Sequence, residues 1–78
     1  MSIHVTTAIL DLHQPLSEQH KRNLEATLKA DAGVLSVGSP GHLPRLLMVD
    51  YNATLTSSGN IAKRVRSSGL QPRIVGCA

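Results

Sequence analysis

Two segments of this chain each carry a helix start and a helix stop, and the residues around them divide into four short apolar runs. That pattern limits the fold more tightly than anything else in the sequence. In "LSEQHKRNLEATLKA", residues 16–30, Ser17 is a good N-cap and Glu18 places a carboxylate in the first turn, where the helix N-terminus favours it; Leu24 and Leu28 stand four apart on one face, and Gly33 follows as the stop. In "TSSGNIAKRVRSSG", residues 56–69, Thr56 or Ser57 can cap, Ile61 and Val65 form the apolar stripe, Lys63, Arg64 and Arg66 face outward, and Gly69 ends the segment.

The remaining runs read as strands. "IHVTTAILDL", residues 3–12, is β-branched and apolar, with Leu10 and Leu12 on one face and Asp11 on the other; Ile3, Val5 and Ile9 keep the opposite phase, so a bulge or an extension that leaves the sheet is expected somewhere along it. "VLSV", residues 34–37, is a short second strand, and "GSPGHLPR" is a loop. "LLMVDYN" is a third strand, with Leu47, Val49 and Tyr51 on one face and Leu46, Met48 and Asp50 on the other, and "PRIVGC" is the fourth. The order strand, helix, strand, strand, helix, strand predicts an α+β, ferredoxin-like sandwich: a four-stranded antiparallel sheet with both helices on one face.

With 78 residues the chain is one domain, 1–78, since so short a polypeptide buries only a little over about 60% of its unfolded surface and cannot divide its core. No apolar run is long enough for a membrane span, and the N-terminus lacks the basic start and unbroken apolar stretch of a signal peptide, so the expected location is the cytoplasm, without membrane association. The start and stop of the chain are those expected of a free-standing protein, and a piece of a larger transporter would look the same. The lone cysteine, Cys77, excludes an internal disulfide and a thiolate cluster. A formal net charge of +3 suits an acidic partner, but the only aromatic residue, Tyr51, argues against nucleic acid, because single-strand binders stack bases on aromatic platforms.

Residues 14–37, continued by "LLMVDYN" and by "IAKRVRSSGLQPRIVG", resemble the heavy-metal-associated domain family, the copper chaperones and the N-terminal domains of metal-pumping ATPases. The helix-ending "GVLSV", the "V-x-Y-N" closing the third strand and the "I-A-K-x-V-x-S-S-G" helix carry the likeness. What the resemblance implies is metal binding at a Met-x-Cys-x-x-Cys loop before the first helix. Counting back from Gly33 places that motif on Pro15, Ser17 and His20, so its three defining residues are replaced. Cuprous copper is held by two soft thiolates, and a serine hydroxyl is neither soft nor ionised at neutral pH.

Two functions are therefore expected to compete. In the first, the chain handles a metal ion with a non-cysteine site centred on His20, at the second cysteine position, joined by His13 and His42 from neighbouring loops. A borderline ion such as Zn²⁺, Ni²⁺ or Cu²⁺ accepts imidazole. Cys77 is expected near the opposite end of the sheet, roughly 20 Å from His20, as a free thiol in a strand that neighbours the one carrying His4. In the second, the chain has kept the fold and lost the metal: Lys21, Arg22, Lys63, Arg64 and Arg66 form a basic surface for an acidic protein domain or a metal transporter, and the open sheet face or an edge strand allows a homodimer. No carboxylate pair, nucleophile elbow or phosphate loop appears, and Ser17 with His20 lacks an orienting third group, so an enzyme is not expected.

Overall fold

β1, Val5–Asp11, forms because its β-branched and apolar residues fit a half-buried pleat: Ala8 and Leu10, with Leu12 just beyond the strand, turn inward, while Val5, Thr7, Ile9 and Asp11 take the other face. The protein is described by a computed structural model that covers residues 4–14, 16–39 and 45–77. The other elements are α1, Glu18–Lys29; β2, Val34–Gly38; β3, Leu46–Asn52; α2, Ser58–Ser67; and β4, Arg73–Cys77. The strands form one antiparallel sheet in the order β2-β3-β1-β4, the expected ferredoxin-like arrangement.

The core lies between one sheet face and the helices. Leu10, Leu47, Val49 and Tyr51 from the strands meet Leu24 and Leu28 of α1 and Ile61 and Val65 of α2 in one buried cluster. Tyr51 is buried there.

β1 runs unbroken against β3, from Val5 opposite Asn52 to Asp11 opposite Leu46. The irregularity expected in this strand lies instead in its partner: β4 pairs Gly76 with Ile9 and Ile74 with Leu10, which leaves Val75 as the extra, exposed residue.

Both caps form as expected. Ser17 Oγ accepts the His20 N–H at 3.2 Å, and Ser57 Oγ accepts that of Asn60 at 3.2 Å. The stop of α1 differs. The helix ends at Lys29 with Ala30 as its C-cap, and Gly33 is required for a different reason: a Cβ there would lie 2.6 Å from Thr56 Cγ2. Gly69, at φ 89°, ends α2 in the left-handed conformation that glycine adopts freely.

Candidate functional site

The sheet register gathers several polar residues at one end of the molecule. Asp11 pairs with Leu46 on one side and Arg73 on the other, so the exit of β1, the entry of β3 and the entry of β4 lie together, with the start of α1 reached through residues 12–17. Leu12 donates its N–H to Arg45 O at 2.9 Å, which ties that exit to the start of β3. Asp11 Oδ1 accepts the His13 N–H at 2.8 Å and lies 3.8 Å from Arg45 Nε. His13 takes φ 66°, a left-handed conformation in which histidine is one of the less penalised residues, and its side chain is exposed. His20 is half-buried in the first turn of α1, four residues before buried Leu24.

His13 and His20 thus bracket one short loop. His42 lies outside the described residues, as does Pro15. Among the described residues no three of His, Cys, Asp and Glu converge into a group that could hold a metal ion. The expected position of Cys77 needs correction. β4 pairs only with the second half of β1, so Cys77 stands opposite Ala8, mid-strand, and not at the far end. His4 is four residues further along, roughly 13 Å at 3.3 Å per residue.

The cations separate into two groups. α1 and its following turn balance Lys21, Arg22 and Lys29 against Glu18, Glu25 and Asp31. Arg45 and Arg73 balance Asp11 and Asp50. α2 carries Lys63, Arg64 and Arg66 and no acid of its own, with Asp31 of the turn after α1 set against Arg64. Lys63 and Arg66 are exposed. Arg64 is not simply outward-facing, as the sequence led us to expect: its Nε lies 3.4 Å from Asp31 Oδ2.

Asp31 organises that corner. Its Oδ1 accepts the Gly33 N–H at 2.9 Å, and its Oδ2 accepts the Thr56 hydroxyl at 3.0 Å. The Gly33 N–H, reinforced by Thr56 and by the Arg64 guanidinium, holds the Asp31 carboxyl below its ordinary pKa against a smaller opposing effect of burial. Asp31, Asn60, Lys63, Arg64 and Ser67 line a shallow polar cleft here. Sequence reading missed Asp31 because its partners are remote: Thr56 is 25 residues away, and only the Asp-x-Gly turn was locally visible.

On the open sheet face Asp50 accepts hydroxyl protons from Thr7 at 2.6 Å and Ser36 at 2.8 Å; these two donors, Thr7 first, hold its pKa below the ordinary value.

No family model matches the chain, and no curated protein matches it. Solved structures do. The N-terminal domain of a potential copper-translocating P-type ATPase from Bacillus subtilis, in its Cu(I)-loaded state, superposes with a TM-score of 0.82 at 19% identity, over 96% of this chain and 92% of that one. The fold is that of the heavy-metal-associated domain. Oxidised MerP from Ralstonia metallidurans gives a TM-score of 0.79 at 15% identity, over 94% of this chain and all of that one. The yeast copper transporter domain gives 0.78 at 17% identity, over 92% and 97%. On this heavy-metal-associated fold no described helix is long and apolar enough to cross a membrane.

Proposed function

We propose that this chain is a protein-docking module of the heavy-metal-associated fold, whose α2 surface recognises an acidic domain such as a component of a metal transporter. The observation that carries this reading is the charge layout: α2 has three cations and no acid of its own, and with Arg64 set against Asp31 it still presents Lys63 and Arg66 at the surface. Opposite charge on a partner steers encounter and fixes register, and exposed Lys63 and Arg66 are placed to do both. Lys21, half-buried, and Arg22, exposed, extend the contact from α1.

The test is binding of a hexaglutamate peptide, followed by amide chemical shifts. We expect saturable shifts centred on α2, weakening steeply between 20 and 150 mM salt, about values chosen to span the change in screening length. Combining Lys63→Glu with Arg66→Glu should weaken binding by about tenfold or more while leaving the fold intact. Unchanged binding in that double variant would remove the docking reading.

A second reading is favoured by the placement of His13 and His20 around one loop and by the structural neighbours, among them a Cu(I)-loaded ATPase domain and a yeast copper transporter domain. Here the chain handles a transition-metal ion, Cu, Zn or Ni, at a non-cysteine site centred on His20, with His13 and His42 as further ligands. Imidazole suits Zn²⁺, Ni²⁺ and Cu²⁺, and two or three histidines with water make a reasonable shell. Titration with Zn²⁺, Ni²⁺, Cu²⁺ and, anaerobically, Cu⁺ should then give stoichiometric histidine-ring shifts that His20→Ala abolishes. Flat spectra would dismiss this site and leave docking alone.

A further inference from the structure

We propose that the polar cleft beside α2 is the anchor of the docking surface, and that Arg64, preset by Asp31, receives a carboxylate side chain from an acidic protein segment. This rests on the docking reading above and goes beyond it by naming the residue that gives specificity.

Asn60, Lys63, Arg64 and Ser67 recur at helical spacing, so they form one stripe along α2, and Asp31 closes the cleft from the turn after α1. Asp31 is nearly saturated: it accepts from the Gly33 N–H and the Thr56 hydroxyl, and its remaining contact is Arg64 Nε at 3.4 Å. It is therefore a fixed post more than an open anion. Asp31 stands nearest to Arg64 at Nε, 3.4 Å away, which leaves the two Nη groups as the end of the guanidinium fork that can take a carboxylate through parallel hydrogen bonds. Holding the guanidinium in advance lowers the side-chain entropy lost when a partner binds. Lys63, on the same stripe, supplies a second, more mobile charge. Arg66 is exposed and does not line the cleft, so it contributes field without contact.

Arg64 and Lys63 thus have separable roles, and the hexaglutamate peptide distinguishes them. Arg64→Lys keeps the charge and can still pair with Asp31, but loses the fork; we expect about five- to twentyfold weaker binding, with shifts at residues 31, 60 and 67 reduced. Asp31→Asn should weaken binding severalfold although it makes the surface more positive, a result opposite to that of simple charge attraction. Since Asp31→Asn also removes a structural acceptor, its folding is checked by the Gly33 and Thr56 amide shifts, and Arg64→Lys stands as the independent variant. If Arg64→Lys binds as the unaltered protein does while the Lys63→Glu, Arg66→Glu double variant fails, the anchor is wrong and docking survives. If the double variant also binds normally, both fall. Equal perturbation of the cleft by inorganic phosphate would overturn the anchor as well, because the site would then be reading charge alone.

Discussion

Gly33 has no room for even one methyl group. A Cβ at this position would sit 2.6 Å from Thr56 Cγ2 and 3.1 Å from Leu55 Cβ, and Thr56 cannot retreat freely, being buried with its hydroxyl committed to Asp31. Gly33→Ala should therefore destabilise the protein by about 1–3 kcal/mol, as overpacking does, with a lowered denaturant midpoint and an unchanged slope. Gly38 provides the control. A Cβ there meets nothing within 4 Å, so Gly38→Ala should stay within about 0.5 kcal/mol of the original. The same crowding explains why residue-level reading misassigned Gly33. A glycine three residues after a helical pattern resembles a stop signal, and only the approach of the segment before α2, more than 20 positions away, shows what the missing side chain is for.

At the scale of elements, Asp31 joins the α1–β2 turn to the start of α2, and this makes the junction sensitive to acid. Its carboxyl titrates below its ordinary value because the Gly33 N–H, Thr56 and Arg64 all favour the charged form. A folded pKa below the unfolded one means that the ionised group stabilises the native state. That contribution is complete above the unfolded value of about 4 and is lost as pH falls through the lower folded value. Unfolding followed from pH 7 to pH 2 should show an acid limb beginning near about pH 4; in Asp31→Asn that limb should be shallower and the plateau lower. Asp50, held by Thr7 and Ser36, contributes to the same limb, so Asp31→Asn flattens it only in part. Much at this scale was legible in advance, because caps, strand alternation and apolar stripes are local: Ser17, Ser57, Leu24, Leu28, Ile61 and Val65 all take their expected places. The pairing of Arg64 with Asp31 and the register that sets Cys77 beside Ala8 depend on how elements meet, and no local pattern encodes them.

For the whole molecule the deciding property is where the charge lies. Lys63→Glu and Lys29→Glu change the formal net charge of +3 by the same amount, and both residues are exposed on helices of the same layer. If an acidic partner responds only to total charge, the two variants slow association equally. Field strength at the surface falls over a screening length of about 8 Å at physiological ionic strength, however, so a partner approaching α2 senses mainly the charges on α2. Lys29, in the last turn of α1, belongs to a helix that carries acids of its own, Glu18 and Glu25, among its cations. At 150 mM salt, a value near which that screening length applies, Lys63→Glu should slow association of the acidic peptide severalfold while Lys29→Glu leaves it almost unchanged. At roughly 10 mM, where the screening length grows to about 30 Å, the two variants should converge. Equal slowing at both salt concentrations would mean that the surface has no directional charge, and α2 would then be an ordinary solvated helix.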